Sequence, residues 1–257
     1  MPLLHSNILG AGEPILVLHG FLGMSDNWKS IGSKYAEEGF ETHLIDQRNH
    51  GKSFHSPDFN YDILADDIAN YMAHHQLSQA IVLGHSMGGK TAMQLACSQP
   101  TLVSKLIIAD IAPKFYPPHH HQIIDGLNAI DIKKVSSRSE ADKQLSHYIN
   151  NIGIRQFLLK NLYWEEKGVL GFRFNLEVLS EKMEEIGENI STTAIYQGPS
   201  LFLRGEKSEY VSPTDLSDIK RHFPLASIET IEKAGHWLHA ENPIQFLDKS
   251  LHFLKSS

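Results

Sequence analysis

Two short segments and one histidine of this 257-residue chain have the residue types that acyl transfer requires. The first segment is Gly84-His85-Ser86-Met87-Gly88-Gly89, which lies between an apolar run, Ala80 to Leu83, and a helical pattern, Met87 to Ser98. Glycine at 84 and 88 permits a turn so sharp that a side chain at either position would strike the neighbouring backbone, and the turn leaves the Ser86 hydroxyl projecting alone. The helix that follows aims its free N–H groups and positive dipole end at negative charge developing beside the serine. The second segment, His19-Gly20-Phe21-Leu22-Gly23, follows the apolar run Pro14 to Leu18. A tetrahedral intermediate needs preorganised donors for its oxyanion, and losing one costs about 10²–10³ in rate. The backbone N–H groups of Phe21 and Met87 are the expected pair. A serine hydroxyl is a poor nucleophile without a base. Among 16 histidines, His236 in Ala234-Gly235-His236-Trp237 is best placed, because it separates the last strand-like run from the last helical one. His50, in a similar loop, is its rival.

Elements must bring these groups together. Pro14 to Leu18, Thr42 to Ile45, Ala80 to Leu83 and Leu106 to Ala109 are short and apolar, which suits strands buried on both faces. Helical patterns alternate with them: Asn27 to Glu38, Tyr61 to Gln76, and Met87 to Ser98. This alternation predicts an α/β fold, a mostly parallel, doubly covered sheet built from βαβ units. Loops at the C-terminal ends of such strands converge on one rim, where segments 19–23, 84–89 and 234–237 would meet. From Pro113 to about Gln197 the rhythm breaks into a helix-rich, more polar stretch that begins with Pro117-Pro118 and ends beyond the charged run Glu181 to Glu188. It resumes with a strand at Ser200 to Leu203, a helix after Pro213, a strand at Ser227 to Ile231 and a helix after Pro243. The expected organisation is a core of residues 1–112 and 198–257, interrupted by a helical cap at 113–197.

These motifs, with the Asp46-x-Arg48-x-x-Gly51-x-Ser53 loop, resemble the α/β-hydrolase family. In most of its members the acid that orients the histidine follows the strand matching Ser200 to Leu203, in a Gly-x-x-Asp pattern. Here that stretch reads Gly205-Glu206-Lys207-Ser208, so the usual acid is absent. Asp110, in Ile108-Ala109-Asp110-Ile111-Ala112-Pro113, ends the preceding core strand and is expected to take the role from the neighbouring rim position, with Glu206 and Glu209 as alternatives. The chain is more closely similar to a subgroup, the YbfF-type serine esterases and their mitochondrial relatives. It shares with them Gly-His-Ser-Met-Gly-Gly-Lys at 84–90, Asp-Ile-Ala-Pro at 110–113, Gln-Phe-Leu-Leu-Lys at 156–160, Arg173-Phe174-Asn175 and Gly235-His236-Trp237. This resemblance covers essentially the whole chain. It implies Ser86, Asp110 and His236 as a triad, Ser208 as a fourth member hydrogen-bonding near His236, and short-chain acyl esters or acyl thioesters as substrates. Leu22, Phe115, Tyr116 and Trp237 are the expected substrate-lining residues. Phe157, Leu158, Leu162, Tyr163 and Trp164 give the cap its apolar mass. Perhydrolysis, carbon–carbon bond hydrolysis, or a non-catalytic ligand receptor on the same scaffold are the alternatives.

Composition removes other classes. With 41% apolar and 21% charged residues the chain is neither disordered nor of low complexity. Acidic residues outnumber basic ones, 30 to 23, and the net charge of −7 argues against nucleic acid or anionic membranes as partners. No run approaches the ~20 apolar residues that cross a bilayer. A lone Cys97 and an N-terminus without signal-peptide character point to the cytoplasm. His119, His120 and His121 are adjacent and cannot all face one ion, so neither metal nor cofactor is expected. Asp46 and Arg48 are expected to brace their loop. Oligomeric state is left open.

Overall fold

The structure, a computed structural model, describes residues 2–118, 120–132 and 134–256. In chain order its strands are β1 (Ser6–Leu9), β2 (Glu13–Leu18), β3 (Phe40–Ile45), β4 (Ala80–His85), β5 (Val103–Ala109), β6 (Leu162–Glu166), β7 (Val169–Phe172), β8 (Ser200–Gly205) and β9 (Ala226–Ile231). Seven form one sheet in the order β1-β3-β2-β4-β5-β8-β9, parallel throughout except for β1, which pairs antiparallel with β3. The chain is thus an α/β fold with a mostly parallel sheet, as the alternation of strands and helices predicts.

Period-two alternation sends neighbouring residues to opposite faces. Ile15, Val17, Ile81, Leu83 and Ile107 pack with Trp28, Ile31 and Tyr35 of the segment ending in α1 (Lys29–Glu37), and with Phe246 and Leu254 of the C-terminal helix Pro243–Lys255. Leu16, Leu18, Val82, Leu106 and Ile108 face the other way. They pack against Ile68 and Tyr71 of α2 (Tyr61–His74) and Ala92 and Met93 of α3 (Met87–Ser98). Each fully buried aliphatic side chain contributes on the order of 1.5–3 kcal/mol. Two facing layers of them hold the strands rigidly enough to act as a template.

Two differences from the sequence reading lie at the edges. β1 is short and only partly buried, so no apolar run announced it. The helix expected from Asn27 begins instead as a 3-10 turn, Ser25–Trp28, leading into α1. Between β5 and β8 lie the helices His121–Asn128, Arg138–Leu145, Ile152–Leu159, Leu176–Glu181 and Met183–Gly187, together with an antiparallel hairpin, β6–β7. The insertion is helix-rich as expected, and the hairpin is the part of it that the expected helical cap did not include. Tyr163 and Trp164 favour strand, and Gly168 turns the chain at φ +88° between the strands. A third apolar cluster attaches the insertion to the sheet rim, joining Leu127, Leu145, Leu158 and Leu179 to Phe21, Leu22 and Met87. Buried Lys90 of α3 ties down both ends of the insertion by donating to the carbonyls of Lys114 (2.6 Å) and Glu188.

Candidate active site

Strand register delivers the chemistry to one place. His85 pairs with Ala109 across β4–β5, so the next residues, Ser86 and Asp110, emerge side by side at the rim. Leu18 pairs with Gly84, which sets His19-Gly20 against His85-Ser86. Ala109 pairs with Leu203, which brings the loop after β8 beside Asp110. Ser86 adopts φ 52°, ψ −119°, a strained conformation for a residue with a side chain. Two glycines make room for it: a Cβ on Gly84 would lie 2.1 Å from the Gly88 carbonyl oxygen, and one on Gly88 would lie 2.4 Å from that of Leu18. The Ser86 N–H donates to the Ala109 carbonyl (3.1 Å), so the turn is pinned to the neighbouring strand.

Asp110 also stands at positive φ, 52°, which turns its carboxylate away from the strand direction. It is 0% exposed, and both of its oxygens accept hydrogen bonds. Oδ1 accepts from the Gly205 N–H at 2.9 Å. Oδ2 accepts from His236 Nδ1 at 2.8 Å and from the Ser208 hydroxyl in a very short hydrogen bond. Ser208 therefore reaches His236 only through the carboxylate. Its Oγ in turn accepts from the Tyr210 N–H at 3.3 Å, and the Tyr210 ring stacks on the imidazole of His236, with centroids 3.7 Å apart and planes 16° from parallel. With Nδ1 held by Asp110, the Nε2 edge of His236 is left for proton transfer, and both His236 and Ser86 line one open cavity of about 720 Å³.

The rivals are occupied elsewhere. His50 is buried, its Nε2 accepting from the Leu22 N–H (3.2 Å) and its Nδ1 donating to the Arg48 carbonyl (2.9 Å). Burial holds its pKa well below the usual value, so it serves as a neutral strut. Glu206 is exposed and accepts from the Lys233 N–H, while Glu209 is exposed to solvent. Asp46 accepts from the N–H groups of Ser25 (2.6 Å) and Lys52 (2.9 Å), and Arg48 makes a two-pronged pair with Asp67. Both brace loops, as their sequence context suggests. His19 accepts from the Gln47 N–H through Nε2 and donates to the Gly20 carbonyl (2.8 Å), which fixes the loop carrying Phe21. The N–H groups of Phe21 and Met87 have no acceptor among the described residues.

Two spaces open beside Ser86. A narrow one of about 20 Å³ runs under the insertion and is bounded by Tyr61, Met87, Ile111, Tyr116, Met183 and Ile186. The large cavity is bounded by Phe21, Leu22, Phe157, Leu158 and Trp237, with a histidine-rich wall of His19, His85 and His239. Leu22, Tyr116 and Trp237 thus sit where substrate-lining residues would. Phe115 does not: it is 49% exposed and borders neither space, because the chain at 115 turns outward while Tyr116 turns in to donate to the Tyr210 carbonyl at 2.6 Å. Tyr210, His239 and Asn161 escaped the sequence reading. Asn161 donates to the Leu22 carbonyl at 3.0 Å and links insertion to oxyanion loop, a contact across 139 residues that carries no local signal. Among the described residues no trio of His, Cys, Asp or Glu is arranged around a common metal position, and His119 lies outside them. No described helix is long and apolar enough to cross a membrane.

The fold has counterparts among known proteins. A family model described as the α/β-hydrolase fold matches residues 13–135. The chain is 38% identical to an sn-1-specific diacylglycerol lipase of Danio rerio, covering 96% of this chain and 80% of that protein. It is 34% identical to the esterase YbfF of Escherichia coli, over 90% of this chain and 89% of that one. A solved structure of a marine microorganism esterase, 40% identical, superposes with a TM-score of 0.95 and covers 98% of this chain and 100% of its own.

Proposed function

The chain belongs to the α/β-hydrolase family and is a carboxylic ester hydrolase of the YbfF type, and from that premise we propose that it cleaves short-chain carboxylic esters through an acyl-enzyme formed on Ser86. The observation that carries this reading is the 2.8 Å bond from His236 Nδ1 to the buried Asp110 carboxylate, at the wall of the cavity that Ser86 also lines. That bond selects the tautomer in which Nε2 is free to accept the Ser86 proton, and the carboxylate stabilises the imidazolium that results. Ser86 Oγ then attacks the ester carbonyl, and the Phe21 and Met87 N–H groups, with the dipole of α3 behind them, hold the oxyanion. His236 returns its proton to the departing alcohol. Water, deprotonated by the same imidazole, releases the acid and restores Ser86.

Ser208 aims the carboxylate by donating to it, a positioning role. The apolar space lined by Met87, Ile111, Met183 and Ile186 faces the acyl side of Ser86 and, at about 20 Å³, has room for little more than one water-sized group, which supports a short acyl chain. Thioesters fit the same sequence of steps, with a thiol leaving in place of an alcohol. The test is a series of p-nitrophenyl esters and acyl thioesters of increasing acyl length, run with the wild type and Ser86→Ala. Turnover falling off as the acyl chain lengthens and vanishing in the variant is the expected result. Equal turnover by Ser86→Ala removes the nucleophile assignment, and a preference for β-diketones or for acetate plus peroxide redirects the chemistry.

A further inference from the structure

The large cavity has one wall that the mechanism above does not use. Beyond His236 the side chains of His85 and His239 follow in a row, with ring centroids 4.7 Å apart for His236–His85 and 4.9 Å for His85–His239. Trp28 closes the row, stacked on His239 at 3.9 Å with planes 12° apart. His85 donates from Nε2 to the His236 carbonyl at 2.8 Å, which leaves its Nδ1 as an unprotonated acceptor. A Cβ on Gly20 would lie 2.9 Å from that Nδ1 and 3.3 Å from the Ser86 Cβ, so the missing side chain of Gly20 keeps open the space between the acceptor and the nucleophile.

His239 is only 6% exposed, yet its imidazole has no hydrogen-bond partner among the described residues, and Nδ1 is wholly enclosed. The enclosed Nδ1 costs about 1–3 kcal/mol unpaired and admits no ligand, so contact with a substrate falls to Nε2, which is not among the enclosed atoms of this cavity-lining residue. Burial holds the pKa of His239 down at about 3 and that of His85 well below the usual value. Both rings are therefore neutral at ordinary pH and recognise an uncharged hydrogen-bonding group rather than an anion.

The direction of this wall identifies which part of the substrate meets it. The leaving oxygen must face His236 to receive its proton, and His85 and His239 lie next along that side, whereas the apolar space under the insertion lies against Met87. We propose that His85 and His239, floored by Trp28, form a subsite for a hydroxyl carried by the alcohol portion of the ester, so that the enzyme prefers esters of diols and polyols to those of plain alkanols. The proposal rests on the esterase reading given above and deepens it.

The discriminating substrates are 2-hydroxyethyl butyrate and propyl butyrate, which share an acyl group and differ by a terminal hydroxyl against a methyl. One neutral hydrogen bond predicts a kcat/KM ratio of roughly ten in favour of the hydroxy ester for the wild type. His239→Phe keeps the stack on Trp28 and removes both nitrogens, and should bring the ratio close to one. His239→Gln, which restores a hydrogen-bonding group, should recover a preference. Unchanged thermal midpoints check that each variant is folded. A wild-type ratio near one overturns the subsite, as does a ratio that survives His239→Phe. Failure to hydrolyse either ester, or p-nitrophenyl butyrate, removes the esterase reading itself and the subsite with it.

Discussion

At the sheet rim, Ser86 and Asp110 stand one residue beyond the paired positions His85 and Ala109, and each is held at φ 52° by hydrogen bonds to a neighbouring strand. Between β5 and β8 the chain is built otherwise, from short helices and one hairpin, and it touches the site with apolar side chains such as Met183, Ile186 and Phe157. Parallel strands buried on both faces cannot shift without breaking two apolar layers at once, so they can hold a carboxylate and an imidazole 2.8 Å apart. Short helices resting on a single cluster can repack at small cost. On the proposed reading, chemistry falls to the rigid region and chain-length selection to the adaptable one.

Substitutions at the rim should therefore be severe and indifferent to the substrate. Ser86→Ala should lower kcat for p-nitrophenyl butyrate by about 10⁴ or more while leaving the thermal midpoint nearly unchanged. Asp110→Asn should cost about 10³–10⁴ in kcat, because an amide at that position favours the wrong tautomer of His236. If Glu206→Gln has that effect instead, the acid has been misplaced. Ser208→Ala should cost roughly tenfold, since Asp110 keeps the Gly205 N–H and His236 as partners.

Substitution in the insertion should instead change selection. Met183→Ala widens the space under the insertion and should raise kcat/KM for octanoyl relative to butyryl esters about fivefold, with little change for acetyl. An equal loss for all chain lengths would erase the distinction between the regions. The smallest effect concerns the buried lysine that joins them. Burial lowers the pKa of Lys90 to about 7. The unfolded chain therefore binds the extra proton above that pH, and stability rises as pH increases from there toward the ordinary lysine range. The thermal midpoint of the wild type should climb by a few degrees relative to that of Lys90→Met between about pH 7 and about pH 9. A constant difference would mean that Lys90 stays charged throughout.

Much of the rim was legible from local features. Ala80 to Leu83 followed by Gly-x-Ser-x-Gly specifies a buried strand, a sharp turn and a helix start within a few residues, and the structure has all three. The insertion was legible only as an interruption. Its β6–β7 hairpin is five and four residues long with an exposed face, too short for a period to stand out, and Phe115 looked like a lining residue because aromatic character says nothing about which way a side chain turns. Tyr210 on His236, and Asn161 on the Leu22 carbonyl, depend on contacts between segments far apart in the chain.

Local stereochemistry and hydrophobic period, both encoded within about ten residues, were enough to determine the order of strands and helices, the position of the elbow and the kind of nucleophile. Asp110 was the expected acid because Ser208 stands where the usual one would be. That Asp110, and neither Glu206 nor Glu209, meets His236 was decided by the β5–β8 register and by a backbone twist at φ 52°, which no run of residues displays. The same holds for the histidine wall. Three rings from residues 85, 236 and 239 and an indole from residue 28 become one surface only when the sheet brings its strand ends to a common rim.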